Sequence, residues 1–275
     1  LHSRPVAINY GTKGVYIAAG SNNGFMHMVR DSDGVEAWGF MPRAVMPKLA
    51  TLAAGSATTP VHPYLVDGAP TQYIYDANGD GNIGAGDKVY LYFGLRRGGT
   101  SYYALDVSDP ETPKLLWRID KSGQFAELGQ TWSTPRVGRM LFGGSTTPRP
   151  VLIFAGGYDT NKDNVLGSTV IGTNDSMGNA IFVVNAETGA LIWKAVKGAS
   201  AGYSSGAYSH PQMNDSMPAD VLALDTDGNG LLDRIYAGDT GGVMWRVDMA
   251  SSNQSNWIVT PVLSVGRHAS GFSGS

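Results

Sequence analysis

Oxygen-bearing side chains recur on alternate residues in Asp225-Thr-Asp227-Gly-Asn229-Gly-Leu231-Leu-Asp233, at positions 1, 3, 5 and 9. Leu231, at position 7, can lend its main-chain carbonyl. Hard oxygen donors at this spacing, with glycines that let the chain curl, suit one calcium ion. A second stretch, Asp76-Ala-Asn78-Gly-Asp80-Gly81-Asn82-Ile83-Gly84-Ala-Gly-Asp87, follows the twelve-residue EF-type pattern almost position by position. There Asn82 would give its carbonyl, Gly84 would leave room for water, and Asp87 replaces the usual Glu with a shorter arm that weakens the site. Three carboxylates in nine residues repel one another without a counter-ion. A polar hairpin explains the glycines of either stretch but not the alternation of donors. A third stretch, Asp159-Thr-Asn161-Lys-Asp163-Asn-Val165, starts the same rhythm, then lacks the later acid and carries Lys162; it reads as a loop.

These loops need strands to pin their ends, and the strands repeat. A β run, a Gly turn, a second β run and then a Trp occur four times: Val15–Ala19, Phe25–Val29 and Trp38; Val89–Phe93, Tyr102–Asp106 and Trp117; Val151–Ala155, Ile181–Asn185 and Trp193; Arg234–Gly238, Val243–Asp248 and Trp257. The Trp-to-Trp intervals of 79, 76 and 64 residues each hold four short strands, the content of a propeller blade. The fold expected is all-β, a β-propeller spanning 1–275, with a tryptophan packing between blades. A β-sandwich is the alternative. Helix is confined to Pro42–Ala54, where Pro47 permits only a short turn or a late-starting helix. Ala54–Pro60 and Ser145–Pro150 read as loops.

Composition agrees. Of 275 residues, 37 are glycine and only 16% are charged, as suits short strands and tight turns. A net charge of −3 with no basic run argues against nucleic acid, and no apolar stretch reaches membrane-span length. Cysteine is absent, which excludes disulfides, thiolate metal sites and thiol nucleophiles. Weak calcium loops fill where the ion is near millimolar, so an extracytoplasmic setting is expected. The opening Leu1-His-Ser-Arg-Pro has no signal peptide and reads as a piece of a longer polypeptide.

The motifs Trp38-Gly-Phe-Met-Pro42, Tyr64-Leu-Val-Asp67-Gly-Ala-Pro70, Tyr102-Tyr-Ala-Leu-Asp106, Gly129-Gln-Thr-Trp132-Ser-Thr-Pro135 and Tyr236-Ala-Gly-Asp239-Thr-Gly-Gly-Val-Met-Trp245-Arg-Val-Asp248 run in one order along the chain. In that order they resemble the C-terminal propeller of the PilC/PilY family. The resemblance implies a bacterial type IV pilus biogenesis factor and tip-associated adhesin at the pilus tip, the cell surface or the periplasm and outer membrane. Pilins and a host-cell receptor would be its partners. It also implies that a calcium loop preceding Tyr-Ala-Gly-Asp governs pilus extension against retraction; that match falls on Asp225, Asp227, Asn229, Leu231 and Asp233. The chain departs from the family in showing fewer blades than seven and no large variable N-terminal region, so an incomplete ring is expected. Gly266–Ser275 carries no closing strand signal.

A quinoprotein dehydrogenase of the pyrroloquinoline-quinone type is the rival, since its propeller blades share the strand–Asp–turn–Trp phrase and bind calcium. Contiguous ligands, rather than scattered ones around a cofactor, favour the pilus reading. A generic glycan- or protein-binding propeller is a third option. No His-Glu-x-x-His, Gly-x-Ser-x-Gly or phosphate loop is present, so no enzyme is expected. His62 and His210 are scattered, Arg96-Arg97 reads as a solvated turn, and Tyr102-Tyr103 as blade packing.

Overall fold

The structure, a computed structural model, describes residues 2–54, 63–167 and 174–265. The small-residue segment after Ala54, His62 and the tail from Gly266 lie outside them. By internal contacts the chain divides into two units, Leu1–Ile119 and Asp120–Ser275.

The first unit holds two four-stranded antiparallel sheets, each in sequential order. One comprises β1 (Val6–Asn9), β2 (Val15–Gly20), β3 (Met26–Arg30) and β4 (Glu36–Phe40). The other comprises β5 (Thr71–Tyr75), β6 (Lys88–Gly94), β7 (Tyr102–Asp106) and β8 (Lys114–Ile119). Between them a 3₁₀ segment, Arg43–Lys48, takes in Pro47 and leads to the short α1 (Leu49–Ala54). A proline at that point removes an interior donor, so the regular helix starts only after it.

The second unit holds β9 (Arg136–Met140), β10 (Arg149–Ala155), β11 (Ala180–Asn185) and β12 (Leu191–Lys197). This sheet is widened by β13 (Gly202–Ser204) and β14 (Ala207–His210), with β14 parallel to β12. The last sheet is β15 (Leu222–Leu224), β16 (Arg234–Gly238), β17 (Val243–Asp248) and β18 (Ile258–Ser264). These four sheets are propeller blades, and the fold is an all-β propeller of the expected type.

Burial follows the sequence pattern. β2 alternates half-buried and buried residues, whereas Val89–Phe93 and Val151–Ala155, apolar throughout, are buried throughout. Tyr102 and Tyr103 are core residues, with Tyr103 stacked on Phe93 at 5.5 Å. Each such side chain contributes about 1.5–3 kcal/mol by leaving water. Three of the four tryptophans share one place on the outer strand: Trp38 opposite Met28, Trp117 opposite Ala104, Trp193 opposite Val183. The fourth copy departs from this. Pro261 stands opposite Trp245, and Trp257 precedes β18. The packing between blades nevertheless holds. Trp38 Nε1 donates to the Pro110 carbonyl at 2.8 Å, and the Trp193 and Trp257 rings meet at 5.5 Å.

Candidate metal centre

The nine residues Asp225–Asp233 fill the hairpin between β15 and β16, and the twelve residues Asp76–Asp87 fill the one between β5 and β6. Both loops therefore join the first and second strands of a blade.

In the first loop the chain curls around Asp225. Its Oδ1 accepts from the Gly228 N–H at 2.8 Å and its Oδ2 from the Gly230 N–H at 2.6 Å. Gly228 and Gly230 adopt φ of +76° and +83°, which side-chain-bearing residues rarely enter, so glycine is required at both. The Asn229 N–H reaches Asp227 Oδ1 at 3.1 Å, and the Leu231 N–H reaches Asn229 Oδ1 at 2.8 Å. Asp233 closes the turn, its Oδ2 accepting from the Thr226 hydroxyl at 2.7 Å. The Gly230 N–H above all, helped by that of Gly228, holds the Asp225 carboxyl below its ordinary range, against desolvation, which is the second-largest effect and raises it.

Asp225, Asp227 and Asp233 each present an oxygen within 4.8 Å of the others. Calcium–oxygen distances of about 2.3–2.6 Å allow ligand oxygens on one ion to lie at most roughly 4.6–5.2 Å apart. The donor set is therefore the right size and chemistry for calcium, with Asn229 and the Leu231 carbonyl in the same turn.

The second loop repeats this wiring. Asp76 accepts from the Gly79 and Gly81 N–H groups, both at 2.7 Å, and the Gly81 bond above all lowers its pKa. Asp80 accepts from the Asn82 N–H at 2.7 Å, and Asn78 from the Asp80 N–H at 3.1 Å. The closing acid comes three positions later: Asp87, 5% exposed, accepts from Ala77 and Gly84 N–H groups at 2.8 and 2.7 Å. Among the described residues, Asp225, Asp227 and Asp233 are the one acidic trio gathered this closely; Asp76, Asp80 and Asp87 are not.

The third stretch forms part of a 3₁₀ segment, Thr160–Gly167, and its acids diverge. Asp159 accepts from the Ser176 N–H at 2.7 Å, while Asp163 accepts from the Tyr158 hydroxyl at 2.9 Å. Lys162 Nζ lies 2.9 Å from Asp175 and 3.5 Å from Asp215, both with side chains fully buried.

Sequence reasoning missed this buried ion pair, and it misread Arg96. Rather than a solvated turn, Arg96 sits 3.4 Å from the fully buried Asp67 carboxylate, which also meets His2 Nδ1 at 2.8 Å. One signal was available. Asp67 and Asp215 each stand three residues before a proline on the approach to a blade's first strand, in Asp67-Gly-Ala-Pro70 and Asp215-Ser-Met-Pro218. His210 is buried; its ring stands edge-on to Trp245 at 4.9 Å and its Nδ1 accepts from the Gln212 N–H at 3.3 Å.

The first loop is wired to its surroundings. The Leu232 N–H donates to the Arg139 carbonyl of β9 at 2.9 Å, and the Met249 N–H donates to the Asp233 carbonyl at 2.7 Å. Beside it lies a cavity of about 110 Å³.

A family profile described as the PilY1 beta-propeller domain matches residues 5–262. The chain is 30% identical over 242 residues to the type IV pilus biogenesis factor PilY1 of Pseudomonas aeruginosa strain UCBPP-PA14, covering 88% of this chain and 18% of that protein. It is 31% identical over 251 residues to a PilY1 homolog of Xylella fastidiosa strain Temecula1, covering 90% and 16%. The chain thus spans under a fifth of the length of these relatives. The crystal structure of the Pseudomonas aeruginosa PilY1 C-terminal domain shares the fold, with a TM-score of 0.62 at 24% identity over 91% of this chain and 46% of that one. Among the described residues no helix is long and apolar enough to cross a membrane.

Proposed function

The chain belongs to the PilY1 β-propeller family, and from that membership we propose that it is a calcium-binding, non-enzymatic module acting outside the cytoplasm in type IV pilus biogenesis, adhesion and twitching. The observation that carries the calcium reading is the convergence of Asp225, Asp227 and Asp233 within 4.8 Å in a hairpin whose glycines fold it around them.

Calcium would supply the positive charge that lets these carboxylates share one turn. Asp225, Asp227, Asn229, the Leu231 carbonyl and Asp233 would hold it. The chain's own residues then carry the consequence outward. Leu232 bonds to Arg139 of β9, and Asp233 bonds to Met249 at the end of β17. Ordering the loop therefore fixes the junction of two blades, and partners such as pilins or a host receptor that prefer the ordered junction bind more tightly. The loop Asp76–Asp87 is a second, weaker calcium site by the same donor logic. If the first loop holds calcium at about 10 μM where the ion is near 1 mM, filling it stabilises the fold by about 2.7 kcal/mol.

The test is calorimetric titration of the purified domain, followed by piliation and twitching assays of the full-length protein. Calcium binding lost in Asp233→Ala, with altered piliation or motility while the protein is still exported, is expected. Asp233→Lys, whose ammonium would neutralise the remaining carboxylates, is expected to restore part of the phenotype. Normal piliation and motility in both variants, despite proven loss of binding, rules out the switch. Dye-linked alcohol oxidation by the domain would favour a quinoprotein.

A further inference from the structure

The cavity of about 110 Å³ beside the first loop is lined by Asp227, Asn229 and Asp233 and by Leu141, Leu232 and Met249, among others. Leu141 comes from the β9–β10 hairpin and Met249 from the turn after β17, so neighbouring blades build it together. Its polar lining includes the third, fifth and ninth residues of the loop together with Ser251 and Ser252, and with Leu231 four of the five proposed donors border it. Calcium takes six to eight oxygens, so five donors leave about one to three positions for other ligands.

We propose that this cavity is a ligand subsite, in which a polypeptide partner places a neutral amide oxygen on the loop's ion and a short aliphatic side chain against Leu141, Leu232 and Met249. The inference rests on the calcium reading above. Charge selects the oxygen. Three carboxylates against a double positive charge leave the filled loop with one net negative charge, which disfavours a carboxylate or phosphate and leaves a neutral carbonyl acceptable. The walls select the side chain. Apart from the loop's donors they are mostly aliphatic, with Ser251 and Ser252 at one margin and no ring on which a sugar face could stack, and the space takes several waters and so a leucine-sized group. Calcium would then do more than stiffen the blade junction: it would be part of the contact, so that partner binding and ion binding strengthen each other.

The probe is N-acetyl-leucinamide, with N-acetylglycinamide as the truncated control. Terbium stands in for calcium, and its luminescence lifetimes in water and deuterated water count the waters on the ion. Saturating N-acetyl-leucinamide should lower that count by one, and N-acetylglycinamide should need about tenfold more for the same effect. Ala250→Trp, which fills the cavity from its exposed rim and removes none of the five donors, should keep terbium and lose the response. Asp227→Ala reports on the ion itself. Terbium bound at the loop with a water count indifferent to both probes overturns this inference and leaves the calcium reading standing. An equal response in Ala250→Trp places the probe elsewhere and also overturns it. No terbium binding in the parent chain, or binding unchanged in Asp227→Ala, overturns the calcium reading and this inference with it.

Discussion

Leu232 lies in the space that a β-carbon on Gly138 would need: such an atom would stand 2.1 Å from Leu232 Cδ1. The glycine belongs to β9 and the leucine to the loop of the neighbouring blade, one residue before Asp233. A bare backbone on one blade is thus the seat for the loop of the next.

Gly138→Ala should push Leu232 aside. Because the clash, with Leu232 Cγ at 2.6 Å as well as Cδ1, is with a side chain and not with backbone, the loss should be about 1–3 kcal/mol rather than unfolding. The displaced residue adjoins Asp233, so calcium affinity should fall in step with the melting temperature. Thermal melts with and without chelator check this: an equal drop in both would mean that the seat does not communicate with the ion.

Substitutions along the loop should rank by charge. Asp225→Ala and Asp233→Ala each remove an ionised donor and should weaken calcium about 10- to 100-fold. Asn229→Ala should cost less, and Leu231→Ala little, since only its carbonyl is used. Calorimetry on each variant gives the order. Equal losses in all four would report unfolding instead of coordination.

Lys162→Met should leave Asp175 and Asp215 buried without their ammonium. Breaking a buried pair from one side costs about 3–5 kcal/mol. Asp175 is held below its ordinary range because the Ser216 hydroxyl and N–H, Lys162 and Asn161 together outweigh burial, the largest single effect and one that raises it. The double variant Lys162→Met/Asp175→Asn should recover part of the loss in urea unfolding. No recovery would show that Lys162 acts through its packing and not its charge.

Stability should fall on mild acidification through His210. Burial lowers its pKa below the usual value near 6.5, so the native state keeps it neutral. Its contribution is full above that value and is lost as pH falls through the depressed folded value. Unfolding curves at pH 7.5 and 5.5, compared with His210→Gln, isolate it: the variant should lose less than the parent. The edge-on contact with Trp245 makes indole fluorescence a direct reporter.

Spacing alone determined the candidate site and the blade count. Alternate oxygen donors and left-handed glycines are local features, written within nine or twelve consecutive residues, and strand runs bounded by turns repeat whatever they later touch. The short helix after Pro47 was legible for the same reason. Tertiary structure decided what depended on residues far apart in sequence. Trp257 precedes its strand because Pro261 takes the place opposite Trp245, a register that only pairing with β17 sets. Arg96 looked solvated until the chain brought it to Asp67, 29 positions away, and Lys162 looked misplaced in a metal loop until Asp175 and Asp215 closed around it. Both cations answer buried carboxylates, and burial is a property of the assembled blades. The difference between the two oxygen-rich hairpins has the same origin. Each carries acids in the right rhythm, but Asp233 closes at the ninth position and joins Asp225 and Asp227, while Asp87 closes at the twelfth, buried and held by the N–H groups of Ala77 and Gly84.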